Sequence, residues 1–209
     1  MPRVIAEVQT PGRRRRSEGK KTAILDAAEA LFITEGYERA SVDAIAARAQ
    51  VSKRTVYDHF GDKETIFLRV LERVNDALVR TIRTAIDEEL PPGRDLRDAL
   101  TAFGRRIADQ TFASSDYLAF RRLESQQRSV QLPEAARDRP ERMLEERFAE
   151  LATEGAIRAP DPALAARHFT ALTISLALNA VTGRRTGTPP PELDAIIADG
   201  VDAFLRAYR

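Results

Sequence analysis

From Ile24 to Leu205 the apolar side chains recur every three or four positions, and no segment sustains an alternation of apolar and polar residues. A spacing of three to four lines side chains along one stripe of an α-helix, whereas a strand needs a spacing of two. The chain is therefore expected to be all-α, with about nine helices. At 209 residues and 43% hydrophobic content it has material for one sizeable core or two small ones.

Local punctuation sets the helix boundaries. Ile24, Ala28, Leu31 and Phe32 form the first stripe, and Gly36 is placed to end it. Ser41 is an N-cap for a short second helix that buries Val42, Ile45, Ala46 and Ala49, with Asp43 in its first turn to complement the dipole. Ser52 caps a third helix, where Val51 and Val56 match a hydrophobic staple and Gly61 closes the run. Asp62 then caps a long fourth helix carrying Phe67, Val70, Leu71, Val74, Leu78, Ile82 and Ile86, which stops at LPPG, residues 90 to 93. Further helices are expected near 95 to 112, 115 to 129 and 133 to 155, the last interrupted or restarted at Pro140. Asp161 and Pro162 read as N-cap and N1 of a helix reaching Gly183, and 191 to 208 as a closing helix.

Composition removes several functional classes. With no cysteine there is no disulfide framework, thiolate nucleophile or cysteine metal site. The only histidines are His59 and His168, so no metal box is expected, and no glycine-rich phosphate loop or cofactor motif is present. No apolar run follows the N-terminal charges, and FTALTISLALNAV at 169 to 181 is too short to cross a bilayer, so a cytoplasmic protein without a membrane partner is expected. Net charge is only +1, but it is uneven: seven basic and two acidic groups give residues 1 to 21 a charge of +5, leaving −4 for the rest. Residues 1 to 19 are expected to be a basic, flexible arm, either solvated or DNA-contacting.

Two short helices joined by about three residues, spanning about 41 to 60, have the form of a helix-turn-helix, whose second helix enters the major groove. With Val56 and Phe60 inward, positions 53, 54, 55, 57, 58 and 59 are left outward. Lys53 and Arg54 sit in the first turn, where their charge opposes the helix dipole.

Residues 22 to 67 resemble the DNA-binding domain of the tetracycline-repressor (TetR/AcrR) family of bacterial transcriptional regulators. The resemblance rests on AAEALF, the Gly36-Tyr37 pair, SVDAIAARA and VSKRTVYDHFGDKE at fixed spacing. It implies that Ser41, Tyr57, His59 and Lys63 contact phosphates and that Lys53, Arg54 and Thr55 read base edges, with Ser52 in the same DNA-facing set. Arginine and lysine suit guanine O6 and N7, in keeping with those roles. Where the family commonly has glycine in the turn this chain has Gln50, which at a positive φ would cost about 1 kcal/mol. On this reading residues 20 to 67 form the DNA-binding domain, and 68 to 209 a helical ligand-binding and dimerisation domain.

The larger part carries little motif content. Taken as one uniform helix, 162 to 183 has Phe169, Leu172 and Leu176 on one side and Ile174, Leu178 and Val181 on another. The second set, with Ile197, Val201 and Phe204 of the closing helix, is expected to meet a second copy in an intermolecular four-helix bundle. Phe103, Phe112, Tyr117, Arg121, His168, Thr173 and Asn179 are expected to line a pocket for a small hydrophobic effector. The function expected is a homodimeric repressor of a palindromic double-stranded DNA operator, released by that effector. The alternatives are a regulator without an effector and a small helical enzyme, for which no catalytic constellation is found.

Overall fold

The computed structural model describes residues 11–112, 133, 139–182 and 192–209. Every element among them is helical. The expected helix at 115 to 129 lies outside them.

The chain forms two compact units, which divide between Glu72 and Arg73 within a helix. In the first, α1 (Pro11–Glu35) ends at Gly36, whose φ of +85° lets the chain turn away while its N–H bonds the Phe32 carbonyl at 3.0 Å. This helix begins at Pro11, so residues 11 to 19 of the expected flexible arm are helical; the run of arginine, lysine and glutamate consists largely of good helix formers. Next come α2 (Val42–Arg48), α3 (Lys53–Phe60) and the start of α4 (Lys63–Glu89), whose residues from Arg73 onward belong to the second unit. Ile24, Ala28, Phe32, Ile45, Ile66 and Phe67 have no exposure, and Val56 only 1%. Phe67 sets its ring edge-on to Phe32 and Tyr37, with centroids 5.2 and 4.9 Å away.

In the second unit, α5 (Leu96–Phe112), α6 (Arg139–Thr153), α7 (Pro162–Thr170), α8 (Leu176–Thr182) and α9 (Leu193–Tyr208) enclose a core of Leu100, Phe103, Phe148, Phe169, Ala177, Ile197, Val201 and Phe204. The rings of Phe148, Phe169 and Phe204 are mutually in contact, at 5.5 to 5.7 Å between centroids. Pro140 falls in the first turn of α6, where its missing N–H costs nothing, while residues 134 to 138 of the expected helix lie outside the described residues. Asp161 caps α7 by accepting from the Leu164 N–H at 2.9 Å, with Pro162 behind it. The buried Arg147 donates Nε to the Leu90 carbonyl at 3.0 Å and Nη1 to Glu150 and Glu154 at 2.7 and 3.0 Å. Arg97 and Asp202 join α5 to α9 through two hydrogen bonds of 2.6 and 2.9 Å.

Between α7 and α8 the helix widens into a π segment, Ala171–Ser175. Such a segment resets the register, so side chains beyond it do not follow the 100° per residue of a uniform helix. As a result Leu176 is 48% exposed while Ala177 is fully buried. The buried Thr173 hydroxyl is satisfied within the segment, donating to the Phe169 carbonyl one turn back at 2.7 Å.

Two expectations are corrected here. Ile197, Val201 and Phe204 have no exposure within one subunit and offer no surface to a second copy; helical periodicity marks a buried face without saying which chain buries it. The stretch Pro162–Val181 is 20 residues long with a mean hydropathy of 1.2, so by length and composition alone it is long enough to cross a membrane. Here Ala165, Ala166, Phe169 and Ala177 on that stretch are seated in the core.

Candidate nucleic-acid interface

Three local devices place α3. The Ser41 Oγ accepts the Ala44 N–H at 3.1 Å and fixes the start of α2. After α2 the chain reverses at Gln50, whose φ is +54°, with the Gln50 and Val51 N–H groups bonding the Ala47 and Ala46 carbonyls at 3.2 and 3.0 Å. Gln50 thus takes the left-handed conformation that the sequence comparison anticipated for a glycine. Ser52 then caps α3, its Oγ accepting from the Thr55 N–H at 3.1 Å and lying 2.8 Å from the Thr55 hydroxyl.

Val56 anchors α3 inward, and the remaining groups follow from the helical period. The Arg54 side chain is 89% exposed, its Nε 3.9 Å from the Asp58 carboxylate, itself 67% exposed. Lys53 donates to Asp43 of α2 at 2.9 Å, and this hydrogen bond raises the Lys53 pKa. Tyr57 is 45% exposed; Thr55 and His59 are half-buried. Lys53, Arg54, Tyr57 and Asp58 therefore share one short solvent-facing surface.

The expected phosphate contacts fall into two groups. Ser41 and Tyr57 are exposed, and although the Ser41 oxygen is occupied as a cap, its hydroxyl proton remains free to donate. Lys63 instead turns back on its own unit: Nζ donates to the Tyr37 carbonyl at 2.9 Å and sits 4.3 Å from the centre of the Tyr37 ring. Burial, followed by the charge of Glu64, pushes the Tyr37 phenol pKa up. Asp43 is the residue that sequence reasoning left out of this surface, while position 58 was expected to face outward but was given no role. The spacing of Arg54 and Asp58 was visible in the sequence, but the Asp43 to Lys53 contact depends on the turn.

In the second unit an apolar crevice of about 140 Å³ is lined by Leu78, Ile82, Phe103, Ile107, Ile174 and Leu178, with Pro140, Glu141, Leu144 and Thr170. Of the expected pocket residues, Phe103 lines it. Thr173 is buried with its hydroxyl satisfied, and Asn179 is exposed. His168 is also exposed, its Nδ1 2.6 Å from the Tyr208 hydroxyl. The Phe112 side chain, Tyr117 and Arg121 lie outside the described residues. Ile174 and Leu178, expected at a dimer interface, face this crevice instead, and Val181 is half-buried. The π segment accounts for the exchange: Leu176, assigned to the inner side, points outward.

Comparison with known proteins agrees with this arrangement. The family described as "Bacterial regulatory proteins, tetR family" matches residues 24–70, and "AefR-like transcriptional repressor, C-terminal domain" matches residues 98–209. The transcriptional activator FasR of Mycolicibacterium smegmatis is 38% identical over 92 residues, which are 44% of this chain and 42% of FasR. The aligned stretch is thus under half the length of that relative. A solved structure described as a TetR-family transcriptional regulator from Mesorhizobium loti superposes with a TM-score of 0.73 at 28% identity, covering 92% of this chain and 98% of its own. The flavonoid-responsive regulator FrrA gives 0.70 at 28% identity, covering 91% and 97%. Matched over its helix-turn-helix and over more than half its length beyond it, the chain belongs to the TetR family of bacterial regulatory proteins.

Proposed function

We propose that the protein is a homodimeric transcriptional regulator that reads a palindromic DNA operator through α3 and is released by a small apolar molecule. The observation that carries the reading is the outward presentation of Arg54, with Lys53 and Tyr57, on a helix anchored by the buried Val56. Arginine and lysine at the start of a recognition helix are suited to guanine, and a phenol to phosphate. Two copies related by a two-fold axis would read two half-sites about one helical turn, or a multiple, apart. Leu164 and Leu176, 39% and 48% exposed on α7 and α8, are apolar groups available to a second copy. A cytoplasmic location follows from the same reading.

The crevice supports release by an effector. Its lining is almost wholly apolar, and Leu78 and Ile82 of α4 form part of it. At about 140 Å³ it is smaller than the few hundred cubic ångströms that a drug-sized ligand fills, so occupation requires its walls to part. A ligand that binds the opened state about 100-fold more tightly shifts the equilibrium by about 2.7 kcal/mol. FrrA is named for its response to flavonoids, and planar apolar molecules are accordingly the first class to try.

Selection of bound duplexes from a random pool tests the DNA reading: a palindromic consensus is expected, and recovery of no consensus would end it. A thermal-shift screen with planar and acyl compounds tests the effector. A true effector raises the melting temperature and lowers operator occupancy together, while stabilisation without release would remove the switch.

A further inference from the structure

On the surface of α3, Arg54 and Asp58 form a pair whose chemistry the positioning of the helix leaves unexplained. Its two side chains are 89% and 67% exposed, and the contact between Nε and the carboxylate is 3.9 Å. An exposed, loosely held pair of this kind contributes little to stability. Its orientation is also the less favourable one, with the cation toward the positive end of the helix dipole and the anion toward the negative end. The first turn of α3 holds no acidic residue to offset this. Asp58 is unsuited to the DNA backbone as well, since a carboxylate is repelled by phosphate.

One partner suits both groups. In the major groove a guanine offers two acceptors, N7 and O6, and its paired cytosine offers a donor at N4. Read across the base pair, the order is acceptor, acceptor, donor. A guanidinium beside a carboxylate presents donor, donor, acceptor, which is the complement. Reversing the base pair would set the carboxylate against N7 and O6 and leave the guanidinium facing an amine.

We propose that the Arg54–Asp58 pair reads a single G·C base pair in each half-site and fixes its orientation, Arg54 on guanine and Asp58 on cytosine N4. The inference rests on the reading of α3 as the base-contacting helix and adds an acidic specificity-determining residue to it. It also gives the pair's orientation a reason, because the arginine lies in the first turn, at the end of a recognition helix that reaches base edges, and the aspartate follows on the same face one turn later.

The test compares the native chain with Asp58→Ala, Asp58→Asn, Arg54→Ala and the Arg54→Ala, Asp58→Ala double variant. Each is used to select duplexes from a random pool, and binding is then measured on a consensus duplex with each base pair substituted in turn. The native chain should prefer G·C to C·G at one position per half-site by about tenfold or more. Asp58→Ala should lose several-fold of that discrimination while preferences at other positions stand. Arg54→Ala should relax the same position, and the double variant should lose less than the sum of the two. Asp58→Asn, which adds a donor and removes the charge, should shift the preferred base at that position. The inference is overturned if Asp58→Ala leaves every preference unchanged, or tightens binding evenly to all sequences as simple relief of phosphate repulsion would. A native chain that selects no sequence would remove the base-reading role of α3 itself, an outcome distinct from either of these.

Discussion

Gly200 of α9 lies so close to Leu172 of the π segment that a Cβ on the glycine would stand 2.1 Å from the leucine carbonyl oxygen and 2.9 Å from Cγ2 of Thr173. The obstacle is backbone, which cannot swing aside as a side chain can. This close approach lets α9 settle Ile197, Val201 and Phe204 into the core of its own subunit. Gly200→Ala is therefore expected to destabilise by about 1–3 kcal/mol, although alanine is the better helix former by about 1 kcal/mol. Urea unfolding followed by circular dichroism measures it; a midpoint equal to or above that of the native chain would show that the helices are free to separate.

Lys63 is a structural tie within the first unit. With Nζ on the Tyr37 carbonyl and over the Tyr37 ring, Lys63→Ala should destabilise the first unit by about 1–2 kcal/mol. Any loss of DNA affinity should be even across sequences, since no base is read. Tyrosine fluorescence during unfolding, together with affinities for two unrelated duplexes, checks both parts. A sequence-dependent loss would reassign Lys63 to base readout.

Gln50 holds a φ of +54° without being glycine. Gln50→Gly should relieve about 1 kcal/mol of left-handed strain, partly offset by the greater freedom of the unfolded chain. A small rise in the urea midpoint with unchanged DNA affinity is expected. A fall would show that the glutamine side chain contributes more than its backbone costs.

Asp62 caps α4 by accepting the Thr65 N–H at 2.7 Å, and that bond holds its carboxyl below the usual carboxylate range. A depressed folded-state pKa means stability present above the unfolded value and lost as pH falls through the folded one. Asp62→Ala should cost about 1 kcal/mol at neutral pH and progressively less below about pH 4. Unfolding curves at pH 7 and pH 3 separate this from a loss independent of pH.

Much of the fold was legible because caps and turns are local. Ser41, Ser52 and Asp161 each do in the structure what their position beside an apolar run implied. Gln50 takes the conformation that made it conspicuous among the motif residues. The features that escaped were tertiary. Nothing in ALTIS marks a π segment, and that one change of register exchanged Leu176 with Ile174 and Leu178 between the outside and the interior. Asp43 and Lys53 are ten residues apart and meet only because the turn at Gln50 folds α3 back beside α2. An apolar row on α9 looks the same in sequence whether its own subunit or a partner covers it.

The most direct test of the account is the ratio of affinities for a selected and a scrambled duplex, measured by fluorescence anisotropy at one salt concentration for the native chain and for Arg54→Ala. The account predicts that this ratio falls by about tenfold or more, through weaker binding to the selected duplex with little change for the scrambled one. Equal losses on both duplexes would reduce Arg54 to a phosphate contact and contradict the claim that α3 reads sequence.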